Sequence, residues 1–475
     1  MARFQQMQPS SAGGPALGSL PPQGFRPALH GQTNFKAQST AISYPDQTSI
    51  LPALGFFLLC VYLLAGFAND LSIRLLGSRA YLSYITGFLL PIVTLLSGRL
   101  ITALQFPVGR CWLLFYFWLM LATVFSSWRG GSFMLIQEFG TKNFSILFYI
   151  AATVITFRQQ ARLMHVCVAS LVAVLFSCFA FGDYFAGRLT IPGSIFFDNS
   201  NDLALYLILS ALQTSYLLYS SKTITKLFGL SLIATSVYMI LKTGSRATFL
   251  SLIACFVVAL VLSRKRFLLI AGVIPIIAGS LMLAPSYALN RLVNIIWSIQ
   301  EQDLSTMDGA QMSQLERTDV FWRSVNMTIH HPLLGVGPGQ FPETIAKEAR
   351  ERGVHMTWLN PHNSYTQVSS ESGLIGMIFY TGTLLLSIGL SYRVYSWSLT
   401  HANLEHFEGM ALALFLALIA YSINSFFHHV AYGRMLPILA GMSLTNWILA
   451  SDAIKQAQGS LRNTVFPARK PVYRR

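Results

Sequence analysis

Twelve apolar runs, each about 15 to 20 residues long, limit what this chain can fold into more than any other feature. They start near Leu51, Ala80, Cys111, Phe144, Leu163, Leu203, Leu227, Ala247, Phe267, Gly373, Gly409 and Met435. A hydrocarbon core of about 30 Å takes about 20 helical residues to cross. Lipid offers the backbone no hydrogen-bonding partner, so such runs cross as helices and not as an open sheet. Only 11% of the residues are charged, against about 25% in water-soluble domains. The pattern predicts an all-α polytopic membrane protein of about twelve transmembrane helices, with one long outer loop containing amphipathic helices. The expected division is a disordered tail over 1–50, about nine helices over 51–284, the loop over 285–372, about three helices over 373–450 and a basic tail over 451–475. No cleavable signal peptide is read before the first run.

The net charge of +15 looks like a nucleic-acid footprint until it is mapped along the chain. With the N-terminus inside, 19 of the 33 Lys and Arg fall on inner segments. The long outer loop carries six of them against nine Asp and Glu. This is the positive-inside pattern, so the excess charge reports topology. The cations are dispersed and no aromatic platform is interleaved with them, so no nucleic-acid partner is expected. The five cysteines, Cys60, Cys111, Cys167, Cys178 and Cys255, sit in or beside apolar runs without CxxC spacing. They imply neither a disulfide framework nor a zinc site.

At 88 residues the outer loop is too long for a mere connector. Leu289, Leu292, Val293, Ile296 and Ile299 form one helical stripe that would lie along the interface with Trp297. A second helix is expected from Leu315 to His331, ended by Pro332. In the following PLLGVGPGQF, Gly335, Gly337 and Gly339 either present free amides to an anion or form a plain turn, with the turn favoured. Near the end of the loop, Pro361 holds Asn360 extended, and Asn363 or Ser364 caps the next helix. His362 then stands at a helix N-terminus, where the positive end of the dipole favours a neutral imidazole able to accept a proton.

His362 and Asn363 are followed by nine residues, Gly373, two residues and Gly376. That spacing resembles the signature of the O-antigen ligase superfamily. WRSVNMTIHHPLLGVGPGQF from Trp322, IPGSIFFDNSNDLALYL after Arg188 and LKTGSRATFLSL around Arg246 are similar to further elements of that family. The family's "npN" stands here as Asn199-Ser200-Asn201. The Arg-then-ten-then-Gly repeats of some O-antigen polymerases are absent at Arg188, Arg317 and Arg323, which tilts the resemblance toward a ligase.

The resemblance implies an inner-membrane glycosyltransferase with a periplasmic active face and both termini cytoplasmic. Its donor would be a glycan on undecaprenyl diphosphate, and its acceptor a sugar hydroxyl on lipid A core. The alternatives are an O-antigen or exopolysaccharide polymerase, whose acceptor is another lipid-linked glycan, and an envelope lipid or polysaccharide transporter. Against the transporter, no Asp, Glu, Lys or Arg lies near the centre of an apolar run and no half of the chain repeats. Arg188, Arg246 and Arg317 are the expected diphosphate ligands, because guanidinium keeps its charge and is bidentate toward phosphate. The competing readings are interfacial snorkelling for Arg246, and pairing with Asp183 or Asp319 for the other two. His362 is the expected base, or else only orients the acceptor. Asn363 and Tyr365 bind sugar, or cap and pack the helix. The acidic groups Asp198 with Asp202 and Glu301 with Asp303, and the pairs His330-His331 and His428-His429, do not make a ligand set. The two His pairs are read as lying in helices with diverging rings. No metal and no other cofactor is expected.

Overall fold

The structure, a computed structural model, describes residues 50–76, 81–263, 266–283, 309–353 and 359–465. The expected stripe from Leu289 to Ile299 with Trp297, the Glu301 and Asp303 pair, and most of both tails lie outside the described residues. In chain order the helices are α1 (Ile50–Phe67), α2 (Asn69–Leu76), α3 (Leu82–Leu96), α4 (Pro107–Val124), α5 (Arg129–Phe139) and α6 (Ile146–Thr153). Then come α7 (Phe157–Phe181), α8 (Ser200–Thr214), α9 (Thr223–Thr243), α10 (Arg246–Leu262) and α11 (Arg266–Leu283). The last are α12 (Gly309–His330), α13 (Phe341–Glu351), α14 (Ser364–Thr400), α15 (Glu408–Ser425) and α16 (Met435–Val465). Between α7 and α8, β1 (Asp183–Phe185) and β2 (Arg188–Thr190) form a small antiparallel hairpin that the apolar pattern did not announce.

Six helical stretches are long and apolar enough to cross a membrane by length and composition: α1, α4, α7, α9, α14 and Ala402–Ser425, which contains α15. Large apolar side chains stand outward on several of these helices and their neighbours. Phe88 is 71% exposed, Leu95 67% and Val261 66%. Apolar surface of this extent is not left to water. The chain is a multi-pass membrane protein. α15 shows the opposite arrangement: Gly409 to Leu418 are all buried, and α8, α10, α14 and α16 pack around it. Its small residues Gly409, Ala411, Ala413, Ala417 and Ala420 let neighbouring backbones approach closely.

The run near Phe144 needs correction. α6 has only eight residues, all of them buried, far short of a bilayer core. It continues α5 through a π-helical turn at Gly140–Phe144, so the helical stretch starts at Arg129, well before the apolar run. Gln137, Glu138 and Lys142, the last two joined at 2.8 Å, hid it from a hydropathy reading.

α14 positions the functional loops. Its first nine residues, SYTQVSSES, are polar in sequence, yet seven of them are buried. Ser370 and Ser372 hydroxyls donate back to the carbonyls of Gln367 (3.1 Å) and Val368 (2.7 Å), and Ser369 meets Thr328 of α12 at 2.8 Å. The helix then breaks at Gly373, with φ 73° and ψ −179°. The break removes the in-helix partners of several backbone groups, and other parts of the chain supply replacements. Ser370 O accepts from Val336 N (2.9 Å), Glu371 O from Gly337 N (3.0 Å) and Ser372 O from Trp118 Nε1 (2.8 Å). Leu374 N donates to Pro332 O at 2.8 Å. The Glu371 carboxylate accepts from Gly339 N (2.9 Å) and from the Tyr432 hydroxyl (2.7 Å). The glycine loop therefore does not offer free amides to an anion: Gly335 N donates to His331 O, and the amides of Gly337 and Gly339 are used by Glu371. The turn reading describes it.

A Cβ on Gly373 would collide with the Leu333 carbonyl, and one on Gly335 with the backbone of Ser370 to Ser372. Both glycines also have positive φ, which costs a side-chain-bearing residue about 1–3 kcal/mol. Gly373→Ala and Gly335→Ala should therefore each lower the unfolding temperature of the solubilised protein. Gly389→Ala, on the same helix with open space around it, should not. Equal unfolding temperatures for all three in a thermal-shift series would refute the clamp.

Candidate functional site

Four elements converge on one cavity of about 910 Å³, at the upper end of the range of about 300–1,000 Å³ typical of small-molecule sites. The hairpin contributes Arg188, the α9–α10 junction Arg246, the start of the described side chains of α12 Arg317, and the approach to α14 His362. All four residues singled out from sequence line this cavity, although 174 positions separate the first from the last. The N-termini of α8, α10 and α14 also border it, through Asn201, Ala247 and Asn363. Each brings the partial positive charge of a helix start. Among the described residues lining the cavity there are three arginines and no carboxylate.

Arg188 donates from Nε to Thr243 O (2.9 Å) and from Nη2 to Asn201 Oδ1 (2.7 Å). Asp183 accepts from its own neighbour, Tyr184 N, at 2.7 Å, and Asp319 pairs with Arg323 at 2.7 Å. Arg246 is the first residue of α10, directly after Ser245. A buried polar cluster locks that helix end. Ser245 and Thr248 hydroxyls lie 3.2 Å apart, Thr248 donates to Asn424 Oδ1 (2.9 Å), and Asn424 Nδ2 donates to Ser251 Oγ (2.7 Å). Asn424 thus fastens the start of α10 to the end of α15.

His362 has φ 49°, a left-handed conformation rare for a side-chain-bearing residue. It follows Pro361 and precedes the cap. Asn363 Oδ1 accepts from Tyr365 N (2.9 Å) and Thr366 N (3.1 Å), so this side chain caps α14 while facing the cavity. Tyr365 lies behind the wall. Its hydroxyl meets Ser422 Oγ at 3.0 Å, and its ring packs 4.6 Å from that of Phe426, which does line the cavity. The His362 pKa is lowered to about 4, mainly by burial, then by the Arg317 charge and by His429. The neutral imidazole expected from the helix end is present, but desolvation is its main cause.

The sequence reads His428 and His429 as a helical pair with diverging rings. They lie instead in the loop between α15 and α16, with ring centroids 5.2 Å apart, and His429 sits 5.4 Å from His362. His330, by contrast, does end a helix, and its Nδ1 meets Asn326 O at 2.8 Å. Burial lowers the His428 pKa to about 3 and the His429 pKa to about 4; nearby His and Arg charges add to the effect for His428, and Arg317 for His429. Sequence reasoning also missed Asn201 and Asn424. For Asn201 the altered "npN" element was a usable signal. Asn424, in YSINSFF, carries none. Leu250, Ile253, Phe426 and Phe427 add an apolar flank, each more than 40% exposed.

Residues 231–381 match the family model described as O-antigen ligase. The match takes in Arg246, Arg317, His362 and Gly373, and leaves Arg188 and the two further histidines outside. No curated protein matches the chain.

An unfolded histidine titrates near 6.5, so between that pH and about 4 the unfolded chain binds more protons than His362 or His429 does when folded. Their contribution to stability is complete above pH 6.5 and is lost as the pH falls toward 4. The unfolding temperature of the wild type should therefore drop more between pH 7 and 4.5 than that of a His362→Gln/His429→Gln double variant. Parallel curves in a pH series of thermal unfolding would contradict this.

Proposed function

We propose that the chain, a member of the O-antigen ligase superfamily through residues 231–381, is a metal-independent inverting glycosyltransferase. It moves a glycan from undecaprenyl diphosphate to a sugar hydroxyl on lipid A core. One observation carries this reading: Arg188, Arg246, Arg317 and His362 share a single cavity with no carboxylate among its described lining residues. In this arrangement the arginines and the helix N-termini bind the diphosphate, and the apolar flank of Leu250, Ile253, Phe426 and Phe427 receives the start of the polyprenyl chain. Guanidinium charge neutralises the leaving group, so no divalent ion is required.

The acceptor oxygen attacks the anomeric carbon from the side opposite the diphosphate. The bond from that carbon to the phosphate oxygen breaks, its electron pair leaves with the diphosphate, and the acceptor proton passes to His362. With its pKa lowered, the His362 imidazole is unprotonated near neutral pH and free to accept that proton. Direct displacement inverts the anomeric centre. In the bilayer, about twelve helical stretches cross an inner membrane, with both termini cytoplasmic and the cavity opening to the periplasm. The positive-inside distribution supports this orientation.

Reconstituted protein with a synthetic undecaprenyl diphosphate-linked glycan and lipid A core should transfer the glycan in the presence of chelator. His362→Ala should lower turnover by about 10² to 10⁴-fold, the usual share of a general base. Arg246→Lys should not restore what Arg246→Ala loses, since an ammonium lacks the bidentate fork. In a deletion strain, loss of a ligase strands long glycans on the carrier lipid and leaves bare core. Core carrying a single repeat would instead assign the chain as a polymerase, and unchanged glycan profiles for both variants would reject the site.

A further inference from the structure

The Arg-lined cavity has a second wall of different chemistry. His428 lines it and is only 4% exposed, yet neither of its ring nitrogens has a hydrogen-bond partner. The Asp202 carboxyl oxygen Oδ1 stands 3.5 Å from its Nε2. His429 Nδ1 and His362 Nδ1 are likewise buried without partners. Leaving a buried polar atom without a partner is costly, so three adjacent rings in this state leave unmet hydrogen-bonding capacity at one end of the site.

We propose that His428 and His429, backed by Asp202, form the subsite that holds the acceptor sugar and turns its reactive hydroxyl toward His362. The inference rests on the transferase reading above and assigns that site a second compartment. Neutral imidazole presents one donor and one acceptor, which matches a sugar hydroxyl and gives little to a phosphate already faced by three arginines. The ring sequence fits this division of labour. His429 stands beside both His362 and His428 (5.4 and 5.2 Å between centroids), which places the pair next to the base. His428 and His429 are positioning residues here, and the proton goes to His362.

The test uses the full-length protein in nanodiscs, with the synthetic lipid-diphosphate glycan as donor and soluble core oligosaccharide as the varied acceptor. His428→Ala and His429→Ala should each raise the acceptor KM about tenfold, roughly the value of one hydrogen bond. The donor KM should move less than about twofold. His429→Gln, which keeps a donor and an acceptor, should recover most of the loss. Should His428→Ala fail to fold, the half-buried His429 position carries the same comparison. An unchanged acceptor KM, or donor and acceptor KM rising together, would overturn the subsite while leaving the transferase reading intact. No transfer by the wild type, to core oligosaccharide or to a second lipid-linked glycan, would overturn both.

Discussion

A broken helix in a low-dielectric setting survives only if every freed backbone group finds another partner. That requirement governs the break at Gly373. The carbonyls of Ser370, Glu371 and Ser372 and the amide of Leu374 are all met by groups from other parts of the chain. Those groups come from the loop after α12 and from Trp118 of α4, while Glu371 draws in Tyr432 from beyond α15. One local defect thereby ties together the segments that carry Arg317, His362 and the two further histidines. Removing the defect would give a straighter helix and separate the functional loops.

The helical class and the approximate position of most apolar helices were legible in the sequence, because long apolar runs permit few folds in lipid. The failures share a physical cause. Hydropathy registers side chains, whereas α5 and the first nine residues of α14 form helix with polar ones. Ser370 and Ser372 satisfy their hydroxyls on their own helix, so a stretch that reads as water-facing is buried. The signature glycines were recognisable by spacing alone; their reason, a carbonyl of Leu333 where a Cβ would be, required coordinates.

Within the cavity, the residues found from sequence were the ones set in recognisable strings: Arg188, Arg246, Arg317 and His362. The supporting groups had no such setting. Asn424 acts by reaching from α15 to Thr248 and Ser251, partners more than 170 residues away. Diverging rings at His428 and His429 follow only from helical geometry, and a loop backbone brings the two rings together instead. Pairwise spacing is informative only when the local conformation is known.

Arg188 rests on the carbonyl of Thr243, three residues before Arg246. The first cation therefore braces the short stretch of backbone that aims the second. The α9–α10 junction is thus shared structural support for both guanidinium groups. Substitutions at the two arginines are therefore expected to couple and not simply to add.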